Sequence, residues 1–399
     1  MSLIAASVIL DVMIVLGIET SCDETSVGIV KDGEELLACV TASSMDIHAQ
    51  YGGVIPEIAA REHIQAMNPV IEQALMQYGQ AIGLDGMQEV AEQQAAKSNL
   101  SRTGFARLDK VTADRLWDEI DAIAVTYGAG LGGCLLVGVL TARTLAITKQ
   151  KPLYGVNHVE GHVYANFLTK TDLPGYHLPS SQPKFPLLAL IVSGGHTQLV
   201  LFQDHFNYKL LGQTHDDAIG EAFDKVAKII GLPYPGGPSI AKAASGGNAH
   251  ALKLPKARVG QYDFSFSGLK TAVLRATQAL VGVDHTFPSF KLAERLNASQ
   301  KADIAASFQF TAIETVVDKT LDAFNTFGPK SVVIAGGVAA SAELRRQLSQ
   351  RLPIEIDYTD VKLCTDNGAM IATLGYYKMV GHQPTTDPYS LEIEPNLSM

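Results

Sequence analysis

Two segments of this chain share one pattern, and that pattern restricts the fold more than any other feature. Residues 14–30 read as an apolar strand, a polar turn from Glu19 to Thr25 and a second apolar strand. Residues 187–202 repeat it, with Ser193-Gly-Gly-His-Thr197 as the turn. A third strand-like run follows each hairpin, Glu35 to Val40 and then Tyr208 to Gly212. Such units at the heads of two halves predict a duplicated α/β fold with a ligand cleft between the halves. One domain with two unrelated hairpins is the alternative. The apolar run from Ser331 enters Gly336-Gly337 and then a helix near Ser341, a strand-to-helix arrangement of the kind that meets nucleotides. Helical apolar spacing marks His63 to Tyr78 and Gly133 to Thr148, the second behind the glycine-rich turn Tyr127 to Gly133.

With 399 residues, 47% of them hydrophobic and 18% charged, the chain is long enough for more than one unit of ordinary globular composition. We expect a first half over 13–151, completed by about 352–385, and a second half over 152–351. Residues 1–12 read as an extension upstream of Met13, 85–117 as a polar surface insertion, and 386–399 as an extended, exposed tail. The four cysteines show no C-x-x-C spacing, so neither a disulfide framework nor a thiolate zinc site is suggested, and a reducing cytoplasm fits. The apolar start lacks a basic region and is too short to span a bilayer, and no other segment reads as a span, so no membrane role is expected. With 41 acidic and 31 basic residues, the net charge of −10 predicts weak nucleic-acid binding with a shallow salt dependence, unless basic surface is local or lent by a partner.

The chemistry-bearing residues cluster in a few motifs. His158 and His162 stand four apart, so on a helix both imidazoles share a face and can close on one metal ion. A zinc protease of the H-E-x-x-H type needs glutamate directly after the first histidine; here Glu160 falls two positions on, roughly 200° around the helix. The spacing therefore suggests a metal site without the protease's base, against the alternative of two histidines on an exposed face. The turn Ser193-Gly194-Gly195 offers amides to an anion. Near it in character are Glu221 and Asp224, candidates for ribose hydroxyls or a cation, and the rigid turn Tyr234-Pro-Gly-Gly-Pro238. Asp366 precedes an apolar helix, either as its N-cap or as a carboxylate completing a two-histidine, one-carboxylate site.

These motifs together resemble the tRNA N6-adenosine threonylcarbamoyltransferase family, earlier labelled glycoproteases. The resemblance runs in order over about residues 13–380: Glu19 to Thr25, His48 to Glu57, Asn157-His158 with Glu160-Gly-His162, Val192 to Thr197, Gly220 to Lys225, Phe264 to Lys270, and Thr365 to Gly368. It implies an actin-like ATPase fold of the hexokinase and sugar-kinase superfamily, with two subdomains around a central cleft. It also implies a reaction, transfer of a threonylcarbamoyl group from threonylcarbamoyl-adenylate to N6 of the adenosine 3′ of the anticodon, in tRNAs reading codons that begin with A. Carried over to this chain, the metal ligands are His158, His162 and Asp366, holding iron or zinc. The donor contacts are Ile191, Val192, Ser193, Gly194, Gly195, Asp224, Gly237 and Ser341. Asp23 and Glu24 of the first hairpin turn are catalytic candidates in the same cleft. Ser341 stands where the family has asparagine; serine still caps a helix, but it is shorter and lacks the amide's paired donor and acceptor. Bacterial members work with an inactive paralogue and a small P-loop ATPase. Three other functions fit the motifs less well: a small-molecule kinase leaves the histidines without a role, a protease lacks its base, and an inactive scaffold has no need of three intact ligands.

Overall fold

Strand Ile14–Glu19 (β1) sends Ile14, Leu16 and Ile18 into one core and Val15 into another, the two-residue period of a strand buried on both faces. In the computed structural model, which describes residues 12–84 and 108–399, it lies within a sheet with Glu24–Lys31 (β2), Glu35–Ser43 (β3), Ala122–Gly128 (β4), Leu153–Asn157 (β5) and Lys170–Thr171 (β6). The order is β5-β4-β1-β2-β3-β6. Strands β1, β2 and β3 are antiparallel, while β4 joins β1 in parallel. A second sheet holds Leu187–Val192 (β7), Thr197–Asp204 (β8), Asn207–Gln213 (β9) and Ser331–Ala335 (β10), in the order β10-β7-β8-β9. Its hairpin is antiparallel and β10 joins β7 in parallel. The run β4-β1-β2-β3 is thus reproduced as β10-β7-β8-β9, the duplication expected from the two hairpins.

Helices cover both faces of each sheet. Pro56–Ala81 and Gly132–Lys149 pack on the outer face of the first sheet. Helices His158–Tyr164 and Gly368–Val380 lie between the two sheets, sharing a core with Leu187, Ala189 and Ile191 of β7. The alternate residues of β7, Leu188, Leu190 and Val192, face Ile219–Ile230 and Ala298–Phe327 instead. Helix Gly368–Val380 approaches the first sheet backbone to backbone. A Cβ built at Gly28 would stand 2.2 Å from the Ala369 nitrogen, and one at Gly17 would stand 2.3 Å from the Ala372 nitrogen. Only glycine permits that approach.

Four expectations change. The chain leaves the first half after Thr171 rather than near 151, because β5 pairs with β4 and β6 with β3. Of the expected 85–117 insertion, 85–107 lies outside the described residues, but Lys110–Asp118 is a helix capped by Asp109 that buries Leu116 and Trp117. Its polar composition hid one apolar face. The tail is exposed over much of its length but anchored: Arg143 donates to the carbonyls of Pro388, Tyr389 and Leu391, and the Thr386 hydroxyl accepts from the Gly155 amide. Finally, Gly132–Lys149 is long and apolar enough to cross a membrane by length and composition. Here Cys134, Leu135, Val139 and Ala142 of that helix are buried, while Leu136, Leu140 and Ile147 are exposed.

Replacing Gly28 by Ala is expected to lower stability by about 3 kcal/mol, the upper end of overpacking costs, because the atoms in the way are backbone. Gly246→Ala, where nothing lies within 4 Å of the new carbon, should change little. Urea midpoints for the two variants check this; equal midpoints would contradict the close seating of the last helix.

Candidate active site

The end of β5 turns directly into helix His158–Tyr164, with Asn157 as its N-cap accepting from the Val159 and Glu160 amides. The cap fixes the first turn, so His158 and His162 project together into the space between the halves, their ring centroids 4.7 Å apart. Both are buried, which removes the reading of an exposed histidine face. Asp366 arrives from the other end of the chain: its Oδ1 lies 3.5 Å from His158 Nε2 and 3.2 Å from His162 Nε2. It does not cap the following helix, since Asn367 accepts from the Met370 amide and takes that role. The three potential ligand atoms lie within 4.8 Å of one another.

This donor set fits a metal ion. His162 Nδ1 is buried without a hydrogen-bond partner, and His162 Nε2, despite its 3.2 Å approach to Asp366, makes no aligned hydrogen bond. Behind His158 stands Glu19 at the inner end of β1, fully buried, with Oε2 3.2 Å from His158 Nδ1. Thr126 Oγ1 and the Ser21 amide donate to the same carboxylate. Ser21 Oγ also lies 3.0 Å from Nδ1. A carboxylate on Nδ1 fixes the proton there and turns the Nε2 lone pair toward Asp366, the arrangement that orients metal-binding histidines. Burial disfavours the His158 cation, yet the Asp366 and Glu19 charges outweigh it and raise the pKa to about 9 in the metal-free protein. Burial likewise raises the Asp366 carboxyl, but the His158 and His162 charges prevail and hold it below the usual carboxylate range.

Glu160 is buried on the far side of the same helix, its carboxyl raised to about 7 by desolvation and only partly lowered by Lys378. It is no base for the metal site.

His158 and Asp366 open onto a cavity of about 640 Å³ between the halves, with His162 buried behind them. Asp23, Glu24, His158, Ser193, Gly194, Gly195, Asp224 and Asp366 line it together. Among the described residues the Gly194 and Gly195 N–H groups have no protein acceptor, and a Cβ built at either meets nothing within 4 Å. The turn around them is set, since the Ser193 amide donates to the His196 carbonyl and the His196 amide to Ser193 Oγ. Asp224 uses Oδ1 on the Gly236 amide, 2.6 Å away, at the start of helix Gly236–Ala244. Glu24 is raised to about 10 by burial and by its Asp366 and Asp23 neighbours, so it carries a proton at neutral pH.

Other expected residues stand apart from the cavity wall. Ile191 and Val192 are core residues of β7. Gly237 lies in the first turn of Gly236–Ala244. Ser341 caps helix Ala342–Arg351 through the Leu344 amide, and Gly337 lines the cavity instead. Sequence reasoning missed Glu19 and His196. A lone carboxylate ending the otherwise apolar β1 was the available signal for the first. His196 lines the cavity and is lowered to about 4 by burial and by the nearby histidine charges, so its ring stays neutral at physiological pH.

The duplicated strand order with a ligand cleft between the halves defines the actin-like ATPase fold. Solved structures aligned along the chain include HypF from T. kodakarensis (13% identity, 93% of this chain and 48% of that one, TM-score 0.48) and a ROK hexokinase from Thermus thermophilus (15% identity, 93% and 100%, TM-score 0.39). Residues 35–86 and 111–373 match the family model for tRNA N6-adenosine threonylcarbamoyltransferase (TsaD). The protein of that name from Thermomicrobium roseum is 46% identical over 374 residues, covering 92% of both chains. Its counterpart from Caldicellulosiruptor saccharolyticus is 42% identical over 390 residues, 97% of this chain and 98% of that one. The chain belongs to the tRNA N6-adenosine threonylcarbamoyltransferase family, whose members are acyltransferases.

A metal ion must displace the proton that His158 holds below about pH 9. Zinc titrated into metal-free protein at neutral pH should therefore release about one proton, and its affinity should climb as pH rises toward that value. Glu19→Gln should weaken zinc about 10- to 100-fold, and Asp366→Ala at least as much. Competition with a chromophoric chelator reads both; unchanged affinity in both variants would move the metal elsewhere.

Proposed function

We propose that this chain transfers the threonylcarbamoyl group of threonylcarbamoyl-adenylate to N6 of the adenosine 3′ of the anticodon, in tRNAs reading codons that begin with A. The amine nitrogen bonds to the carbamoyl carbon, the bond from that carbon to the phosphate oxygen breaks, N6 loses a proton and AMP departs. One observation carries this reading: His158 and Asp366 of the three-residue cluster line the same cavity as the open amides of Gly194 and Gly195. His158, His162 and Asp366 hold a single iron(II) or zinc ion. Bound there, the ion supplies Lewis acidity to the carbonyl under attack.

The remaining work falls to the chain's own groups. The Gly194 and Gly195 amides receive the adenylate phosphate, where negative charge grows as AMP leaves. Asp224, with one oxygen tied to the Gly236 amide, offers the other to the ribose, and Gly237 lies beside it for the nucleoside. Glu24, whose carboxyl burial pushes toward its protonated form, donates to a donor-group oxygen, while Asp23 accepts the proton that N6 loses. The Asp23 and Asp366 carboxyl groups of the cavity floor would repel an anionic donor, so a cation held there would also make binding of the adenylate electrostatically favourable.

The setting follows the family: a cytoplasmic enzyme, in keeping with four free cysteines, working with an inactive paralogue and a small P-loop ATPase. The outward-facing Leu136, Leu140 and Ile147 give such a partner an apolar face to cover.

Nucleoside analysis of tRNA from a strain depleted of this activity tests the reading. The wild-type gene should restore threonylcarbamoyladenosine, and Asp366→Ala should restore at least about 100-fold less. Absence of the nucleoside with the wild-type gene and its partners would refute it. Separately, Gly195→Val should weaken AMP binding at least tenfold by calorimetry with no change in melting temperature or zinc content, because the new side chain meets no protein atom within 4 Å of its Cβ. Equal AMP affinity would place the phosphate on another turn.

A further inference from the structure

A chain of net charge −10 with an acidic cavity floor needs cations outside the cavity to hold a polyanion. Many of its basic side chains are engaged elsewhere. Lys225 pairs with Asp217 and Glu221, Lys256 with Glu314 and Asp318, and Arg351 with Asp318. By contrast Lys228, Lys242, Lys291, Arg295 and Lys301 have no carboxylate partner among the described residues, and the fold brings them to one region. Helix Ile219–Ile230 starts at the cavity with Glu221 and ends at Gly231, with exposed Lys228 in its last turn. A side chain built at Gly231 would stand 3.3 Å from Lys301 Nζ and 2.5 Å from the Ala293 Cβ, so the end of this helix lies against the 289–301 segment. There Phe290 is 71% exposed with the Lys291 ammonium over its ring, and the Arg295 guanidinium covers Phe287. Against these five cations stand three carboxyl groups: Asp284, which accepts from Thr286, Asp303, which accepts from the Asn248 amide, and exposed Glu294, so the cations are in excess.

This region is continuous with the cavity. Tyr234 lines both the 640 Å³ cleft and a neighbouring open hollow of about 590 Å³ that also holds Leu232 and Lys242. From Glu221 to Gly231 the helix rises about 15 Å, at about 1.5 Å per residue, a span of a few nucleotides. Unpaired cations interleaved with an exposed aromatic ring suit single-stranded RNA, whose phosphates need neutralising and whose unstacked bases need a platform. A protein partner would more commonly be met by a larger apolar patch than one ring among cations.

We propose that the end of helix Ile219–Ile230 and the 287–301 segment form a docking strip for the anticodon arm of the RNA substrate, with phosphates on Lys228, Lys291, Arg295 and Lys301 and a splayed base on Phe290. The strip rests on the tRNA reading given above. It positions the arm so that a base next to those it holds can enter the cleft past Tyr234.

Filter binding of the full-length protein to its tRNA, across a range of salt, tests the strip. Lys291→Glu with Arg295→Glu should lower affinity at least tenfold and make the log–log salt slope shallower by about one to two, the loss of one or two phosphate contacts. Phe290→Ala should weaken binding about fivefold or more with the slope unchanged, as a stacking contact does. Zinc and AMP affinities should not move in either variant. Lys184→Glu with Lys330→Glu, an equal charge change on another face, should cost far less. Wild-type affinity and slope in the strip variants would overturn the proposal, as would an equal loss in the control pair. Loss of a protein partner with RNA binding intact would overturn it too, assigning the surface to protein. A wild-type protein that makes no threonylcarbamoyladenosine defeats the functional reading itself; strip variants that bind and modify tRNA normally defeat the strip alone.

Discussion

The site depends on how closely helix Gly368–Val380 lies on the first sheet. A Cβ built at Gly28 would collide with Ala369, and one built at Gly368 would stand 2.2 Å from the Gly28 nitrogen, so the two backbones touch where side chains normally intervene. The Gly368 amide donates to Ser26 Oγ and Asn367 caps the first turn, which leaves the helix entry little freedom to shift. Asp366, two residues before that contact, is held within 3.5 Å of two imidazoles that belong to a different part of the chain. Metal ligation tolerates errors of only about 0.2 Å. Both ends of the ligand set are therefore fixed by backbone contacts and caps, not by the flexible side chains of the cleft.

The electrostatics of the cleft follow from that geometry. Burial alone would drive Glu19 and Asp366 to their neutral forms, yet His158 keeps Glu19 below its ordinary value, and His158 with His162 does the same for Asp366. Glu24, without such a partner, takes up a proton, and His196, crowded by the histidine pair, stays neutral. Groups that are alike in sequence thus divide into charged ligands and neutral hydrogen-bonding walls. Such a division leaves a site with acidic excess and an orphaned imidazole, conditions that a bound dication satisfies. The same acidic excess is why the proposed RNA strip lies outside the cavity, on the cations at the far end of Ile219–Ile230.

Much of this was legible in the residues. The duplicated hairpins were visible because both strands of each are apolar on two faces and each turn is polar. The His158 and His162 pair was visible because a helix converts a four-residue spacing into a shared face. For Asp366 the residues left a cap and a ligand role both open, since no local period links it to the histidines, and the resemblance favoured the ligand. Glu19 escaped notice for the same reason, its partner lying 139 residues on. The first boundary was misplaced because β5 is a strand that carries no mark of the sheet it will join. The anchoring of the exposed tail leaves no mark in its own side chains, because the anchors are its carbonyls, reached by Arg143 from another helix. The capping role open to Ser341 as a serine is the one its hydroxyl takes, accepting from the Leu344 amide.

Anomalous diffraction at the zinc and iron edges, from crystals grown with a non-hydrolysable analogue of the adenylate, tests the central claim most directly. One cleft should join a metal held by a mid-chain helix and the start of the last helix to an anion-binding turn from the second half. One strong metal peak should appear within about 2.0–2.2 Å of a His158 nitrogen, a His162 nitrogen and an Asp366 oxygen. The analogue's phosphate should lie against the Gly194 and Gly195 amides in the same crystal. A metal peak at any other set of residues, or a phosphate bound away from that turn, would contradict the account.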